Sequence, residues 1–337
     1  MIPYRTRQTI KRVALAALAV LLIVAVLLTV WFVWLKRYVV YTQDGAKLDF
    51  SLGAFAPGQV AVEPEQKETV SIYYNEGDNA VDTSTELTQM TGYYIEAEAL
   101  KEDISAVMAQ VQQLSAGTPV MVDVKTIYGS FYYSSNVCDQ RVSAVDTQQM
   151  DALIAQLNSK DVYAIARLPA LRDYYYGLHH VPDGLPLPGG YLWMDDDSCY
   201  WLDPTSEGTV TYLVQIVTEL KNLGFDEVVF YDFRFPDTQS IVFEADRDEA
   251  LKTTAETLVK TCANDRFAVS FVGSDAAFPL PEGRSRLYLE HAVAADAASI
   301  AAQTGLPDPQ IRLVFLTENH DTRFDAYSVL RPLSAAH

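Results

Sequence analysis

The stretch FDEVVFYDFRFPD, residues 225–237, reads as a buried strand that carries two charges near its end, Asp232 and Arg234. Directly before it, Gly208 to Leu223 places Leu213, Ile216, Val217 and Leu220 on one helical face. Gly224 then supplies a common helix C-terminal stop. A helix that feeds a near-continuous apolar strand is the repeating unit of a parallel sheet covered by helices.

The same alternation runs on both sides. TGYYIEA (91–97), PVMVDVK (119–125), VYAIARLP (162–169), RFAVSFVG (266–273), RLYLEH (286–291) and IRLVFLTEN (311–319) are strand candidates. Between them lies a helix from Glu98 to Leu114, with Leu100, Ile104, Val107, Met108, Val111 and Leu114 on one face. Asp146, with Gln149 three residues on, opens a second in a capping-box arrangement. Its stripe is Met150, Leu153, Ile154 and Leu157. Asp246 and Glu249 open another that runs to about Cys262, and Ala294 to Gln303 forms the last. Seven strands in this span point to an α/β fold of the (β/α)8 TIM-barrel type. YSVLRPL (327–333) can supply the eighth strand; otherwise the barrel is incomplete. A doubly wound open sheet is the alternative, but it calls for a phosphate loop, and no GxGxxG or P-loop pattern occurs.

The chain begins differently. Val13 to Leu35 is 23 residues without charge, Pro or Gly, long enough to cross a bilayer as a helix. Arg5, Arg7, Lys11 and Arg12 precede it and Lys36 and Arg37 follow, which favours a cytoplasmic N-terminus. The run exceeds a secretory h-region, and WFVWLKRYVVY offers no small-residue cleavage site, so an uncleaved signal anchor is expected. The implied organisation is a cytoplasmic tail at 1–12, a transmembrane helix at 13–35, an extracytoplasmic linker at 36–86 and a barrel domain at 87–337. Within the linker, Asp44-Gly45 marks a short hairpin.

Residues 1–37 contain six Lys and Arg and no acid, which leaves 19 basic against 44 acidic residues outside, a net charge of −25. This excludes a phosphate-binding surface of the nucleic-acid type. Cys138, Cys199 and Cys262 show no disulfide framework or zinc spacing. No metal or other cofactor is expected.

In a TIM barrel, sites form at the C-terminal ends of the strands. The second strand ends in Asp123 and Lys125, the third in Arg167 followed by Arg172 and Asp173, and the fourth in Asp232 and Arg234. Glu290 and His291 end the sixth; Glu318, Asn319 and His320 end the seventh. Alternation puts Asp123 with Lys125, and Asp232 with Arg234, on shared faces. Buried charges are costly unless paired, and a concentration of them at one rim marks a candidate site, although such pairs also serve as structural ion pairs. The insertion YLWMDDDSCYWLDP (191–204) reads as an aromatic hairpin with an acidic tip. Trp193 and Trp201 are candidates for stacking on sugar rings, or simply anchor the hairpin.

MVDVKTIYGSFYY, YAIARLPALRD, YLWMDDDSCYWLDP and GFDEVVFYDFRFP, in this order, resemble a bacterial family of glycosyl hydrolase domains. Its members are similar to alpha-amylase-like barrels and are often membrane-anchored. The resemblance covers roughly residues 87–316 and implies a barrel that acts on glycans. One position departs from the pattern. The family form is close to FDYVRFP, with the acid three residues before Arg; here Tyr231 holds that place and Asp232 comes one later. RLYLEHAV is the nearest counterpart of a later Pro- and Tyr-rich motif.

Glycoside hydrolysis needs two carboxyl groups across the scissile bond. Asp232 is expected as nucleophile or base, ionised by Arg234 and Arg167 beside it. Asp123, Glu290 and Glu318 are the other catalytic candidates, with the less solvated of Glu290 and Glu318 as the acid. Arg234, Arg167, Lys125, Trp193, Trp201 and Tyr231 are the candidate substrate-binding residues. The expected partners are a cell-wall or environmental polysaccharide and the membrane through residues 13–35. A catalytically inactive glycan-binding or envelope interaction module, and an acidic structural protein, are the alternatives.

Overall fold

Eight parallel strands close on themselves in the computed structural model. It describes residues 87–137, 143–273 and 276–333, together with the backbone of 39–42 and 45–48 and the isolated helical residues Ile23, Val24 and Leu28. The chain divides into two compact units, Met1–Ala80 and Val81–His337. In the first, Val39–Thr42 pairs antiparallel with Gly45–Leu48, the expected hairpin. The expected spanning helix at 13–35 otherwise lies outside the described residues, as does most of the linker. Among the described residues no helix is long and apolar enough to cross a membrane.

The second unit is the barrel. Its strands are β1 (Thr91–Ile95), β2 (Pro119–Asp123), β3 (Tyr163–Pro169), β4 (Glu227–Tyr231), β5 (Ala268–Val272), β6 (Leu287–Glu290), β7 (Leu313–Leu316) and β8 (Ser328–Pro332). The eighth strand comes from YSVLRPL: Val329 pairs with Thr91 of β1 and with Phe315 of β7. The barrel is therefore complete. Its helices are α1 (Ala97–Val111), α2 (Thr147–Ser159), α3 (Tyr174–His179), α4 (Glu207–Asn222), α5 (Arg247–Cys262), α6 (Ala297–Thr304) and α7 (Pro309–Arg312).

Local chemistry accounts for the boundaries. The Asp146 carboxylate accepts from the Gln148 and Gln149 amides, and Asp246 accepts from the Glu249 amide at 2.9 Å. These contacts satisfy donors that a helix start leaves unpaired. Gly224 ends α4 with φ +92°, a conformation that a Cβ would strain. Gly92 has a different reason: a Cβ there would stand 2.1 Å from the Pro119 carbonyl, so glycine lets β1 close against β2. In α1, Asp103 leaves helical geometry (φ −158°, ψ 86°) and its carboxylate accepts from the Ala106 amide, so the helix restarts there.

Period-two alternation sorts the strand residues into two cores. Met121, Ile165, Val229, Tyr288, Val314 and Leu330 fill the barrel interior. Val120, Val122, Ala164, Val228, Phe230, Val269 and Phe271 face outward against the helices. The N-terminal end of the interior is polar. Glu227 accepts from Tyr163, Ser270, Tyr288 and Arg286, the last at 2.5 Å, and both ionic side chains are almost wholly buried. Arg286 also donates to the carbonyls of Thr88 and Ile311, so the network ties four strands to the entry of β1 and the approach to β7. These contacts leave the charge both paired and hydrogen-bonded, the condition for burying it.

Candidate active site

The opposite, C-terminal end of the barrel gathers most of the expected side chains. Asp123, Tyr231 and Glu290 end β2, β4 and β6, and Arg167 stands two residues before the end of β3, all in phase with the inward residues Met121, Val229, Tyr288 and Ile165. Arg167 is the hub. One terminal nitrogen donates to Asp123 at 2.8 Å and the other to Glu290 at 2.6 Å. Its guanidinium also lies 4.5 Å from the centre of the Tyr231 ring. Asp123 has a second donor, the Ala97 amide at the start of α1, at 3.1 Å.

Asp232 is placed by its backbone. β4 ends at Tyr231, and Asp232 takes a left-handed φ of +50°, so strand alternation stops there. The carboxylate therefore stays at the mouth although Tyr231 occupies the inward strand position. Its cations stand off: Arg234 Nε is 3.7 Å away and Arg172 Nη1 is 3.9 Å away. The arginines do pull the Asp232 carboxyl down, as expected, but they do not decide its net direction. Burial is the largest influence and pushes its carboxyl above the ordinary value, against the pull of Arg234, Arg172 and Arg167.

Two cavities open at this mouth and share Glu290 and His291. One, of about 690 Å3, includes Tyr94, Asp123, Arg167 and Glu318 in its wall. The other, of about 830 Å3, includes Tyr231, Asp232, Arg234 and Phe278. Asp232 and Glu290 thus line one cavity, and Asp123 and Glu290 the other. Glu318 is exposed, so Glu290 is the less solvated of the two expected acids.

Some expected binders lie elsewhere. Lys125 shares no open face with Asp123. The strand ends at Asp123, and Lys125 turns into a fully buried ion pair with Asp173 at 2.6 Å. Asp173 also accepts from the Tyr212 hydroxyl and from the Tyr176 amide that opens α3. Trp201 is buried as well. Its indole N–H donates to Asp195 at 2.8 Å, and Arg234 lies 5.0 Å from its ring, so it offers no open face to a sugar. Trp193 is half-buried against the main core. The expected hairpin forms, with Met194 opposite Tyr200, and Asp195 closes its tip by accepting from the Asp197 and Cys199 amides.

Arg172 is the residue the strand-end reading undervalues. It joins Asp195 at 2.6 Å and Asp197 at 2.5 Å and faces Asp232, thereby anchoring the hairpin beside the site. The end of β1 carries a signal of the same kind, Glu96 after an apolar strand, which that reading leaves unused. Among the described residues no group of three or more His, Cys, Asp or Glu side chains could hold a metal ion.

A closed parallel α/β barrel with carboxylates gathered at its C-terminal mouth defines the TIM-barrel class, the fold of many glycan-cleaving enzymes. Residues 90–270 match the family described as "Putative glycosyl hydrolase domain", and the chain belongs to that family. Comparison with curated protein sequences gives no match. Among solved structures, a hypothetical protein from Ruminiclostridium thermocellum ATCC 27405 is 20% identical, with 53% of this chain and 96% of that one covered, at a TM-score of 0.46. A variant of the GH36 alpha-galactosidase AgaA from Geobacillus stearothermophilus, in complex with 1-deoxygalactonojirimycin, is 12% identical at a TM-score of 0.50. That match covers 74% of this chain but 39% of the galactosidase, so the likeness is one of barrel fold. The glycoside hydrolase domain of PelA from Pseudomonas aeruginosa is 11% identical, with 73% and 95% covered, at a TM-score of 0.44.

Proposed function

We propose that this protein is a membrane-anchored, extracytoplasmic glycoside hydrolase that acts on a cell-wall or environmental polysaccharide. The observation that carries the reading is the partly buried Asp232 carboxyl, raised by desolvation, in the cavity it shares with Glu290. Burial favours the protonated form of this carboxyl, the form that can donate to a leaving glycosidic oxygen. Glu290, oriented by Arg167, is then the carboxylate that attacks or activates water. The roles of the two acids are therefore the reverse of the expectation from charge pairs alone. Asp123 is a positioning group, fixed by Arg167 and the Ala97 amide.

The test is reducing-sugar release by the full-length chain across a panel of polysaccharides, with Asp232→Asn and Glu290→Gln as controls. Activity that survives both substitutions would sink the assignment. Product anomer by NMR decides the stereochemical course, since retention needs carboxyls ~5 Å apart and inversion ~6.5–9.5 Å. The membrane placement rests on residues 13–35. Protease protection of the barrel in sealed spheroplasts would refute it.

One observation favours a second reading, a glycan-binding module without turnover. Arg167 occupies both Asp123 and Glu290, as a rim closed by structural ion pairs would. Binding of a polysaccharide with no release of reducing ends would select it.

A further inference from the structure

Arg167 and Arg172 make four short ion pairs at the barrel mouth, and none of them involves Asp232. Arg167 holds Asp123 at 2.8 Å and Glu290 at 2.6 Å, while Arg172 holds Asp195 at 2.6 Å and Asp197 at 2.5 Å. The contacts of Asp232 are longer: Arg234 stands at 3.7 Å and Arg172 at 3.9 Å. A charge-assisted hydrogen bond from nitrogen to oxygen spans about 2.7–2.9 Å. Asp232 therefore faces two arginines and is bonded to neither.

The hairpin of residues 191–204 supplies what holds them off. The Leu202 amide donates to the Leu171 carbonyl at 2.7 Å and the Asp173 amide to the Tyr200 carbonyl at 3.0 Å. On the barrel side, the Ala170 and Leu171 amides donate to the Tyr231 and Asp232 carbonyls at 2.8 and 3.4 Å. The segment that carries Arg172 is thus tied by its backbone both to the hairpin and to the end of β4, and its side chain serves the hairpin. Asp195 is fully engaged: one oxygen accepts from Arg172 and, at 2.8 Å, from the Trp201 indole, the other from the Asp197 and Cys199 amides. Burial works to raise the Asp195 carboxyl, but the bonds from Arg172, Cys199 and Trp201 prevail and hold it below its ordinary value. It therefore stays charged and keeps its arginine. The Trp201 ring centre lies 5.8 Å from the Arg172 guanidinium and 5.0 Å from that of Arg234, so both cations that face Asp232 lean on one indole.

We infer that the hairpin is a clamp that withholds Arg172 from Asp232, and that Arg172, Asp195 and Asp197 are positioning residues for the acid. This rests on the hydrolase reading, in which Asp232 is the proton donor. A short pair with Arg172 would favour the carboxylate, which has no proton to donate. The balance at Asp232 is open to such a change. Burial pushes its carboxyl up, Arg234, Arg172 and Arg167 pull it down, and Glu290 adds to the upward push. Tyr231, Asp237, Arg247, Asp248 and His291 also line its cavity.

Two substitutions in the full-length chain should move Asp232 in opposite directions, which a merely structural hairpin would not do. Asp197→Asn, an exposed and conservative change, releases one end of Arg172 toward Asp232; Arg172→Gln removes the cation. Melting temperatures are measured across pH for wild type and each variant, with and without Asp232→Asn. The gain from Asp232→Asn grows as pH rises and levels off at the folded-state value of the Asp232 carboxyl. That levelling point should fall by about 1 pH unit in Asp197→Asn, the low end for an acid newly paired with arginine. It should fall further in Asp195→Asn/Asp197→Asn and rise in Arg172→Gln. The falling limb of the kcat/KM profile on a cleaved polysaccharide should move with it. An unmoved levelling point, or a shift of the same sign in Asp197→Asn and Arg172→Gln, would overturn the clamp; Asp197→Asn decides alone where Arg172→Gln does not fold. Opposite shifts in a chain that cleaves no polysaccharide would support the clamp and overturn the hydrolase reading alone.

Discussion

The guanidinium of Arg167 lies against the ring of Tyr231, 4.5 Å from its centre, at the position where the related motif carries its acid. The ring covers one face of a cation whose terminal nitrogens already hold Asp123 and Glu290. A third carboxylate here would compete for the same arginine. The proposed catalytic carboxyl stands one residue later, at Asp232.

Arg167→Met should therefore strand two carboxylates. Removing one partner from a largely buried ion pair costs about 3–5 kcal/mol. Urea unfolding should show a loss of that order, and polysaccharide cleavage should fall at least tenfold. Arg167→Lys should not restore activity, because an ammonium cannot present two parallel donors in a fixed fork. A fully active lysine variant would show that charge alone suffices.

Asp232→Asn should lose activity and gain stability at neutral pH. Burial raises the folded-state pKa of this carboxyl above its unfolded value. Between those two values the folded chain holds a proton that the unfolded chain has released, so stability falls as pH rises through the window. Asparagine removes this cost. The melting temperature of the variant should exceed wild type at pH 7, and the gap should close below the ordinary carboxylate range. A wild-type rate that declines as pH rises through the folded value, with Asp232 as the acid, completes the expectation.

Lys125→Met separates a structural role from a binding one. The Lys125–Asp173 pair is fully buried, so the substitution leaves a buried carboxylate whose remaining donors are the Tyr212 hydroxyl and the Tyr176 amide. Stability should drop by about 3–5 kcal/mol. The KM of the folded fraction should not change. A raised KM with unchanged stability would return Lys125 to the substrate site.

At the other end of the barrel, Glu227→Gln should cost a similar ~3–5 kcal/mol, because Arg286 keeps its buried charge. The double change Glu227→Met/Arg286→Met should cost less than the two single changes together. A thermodynamic cycle measured by chemical denaturation reads the coupling directly. Additive losses would mean that the pair is not coupled.

The barrel is written in local pattern. Apolar strands preceded by helices with clear stripes, the caps Asp146 and Asp246 and the stop at Gly224 are short-range chemistry, legible in the residues alone. The eighth strand is the weak point, because YSVLRPL is short and has no helix of usual length before it; only pairing to both β1 and β7 makes it a strand. The rim charges are legible for the same reason, since Asp123, Arg167 and Glu290 stand at or near the ends of apolar strands and alternate into the interior. Lys125 and Trp201 obey the same local rules yet end buried, Lys125 held by Asp173 from a distant segment and Trp201 by Asp195 within its own hairpin.

Alternation along a strand says which residues can face the barrel mouth, because it depends on neighbours in the chain. It does not say which charge meets which, because partners at the mouth come from strands up to 123 residues apart, as Arg167 and Glu290 do. The ionisation of Asp232 is the clearest case. Residue spacing sets it beside Arg234, which favours the charged form. Desolvation by the folded barrel opposes that and prevails, and a burial effect of this kind exists only once the tertiary structure has closed around the carboxyl.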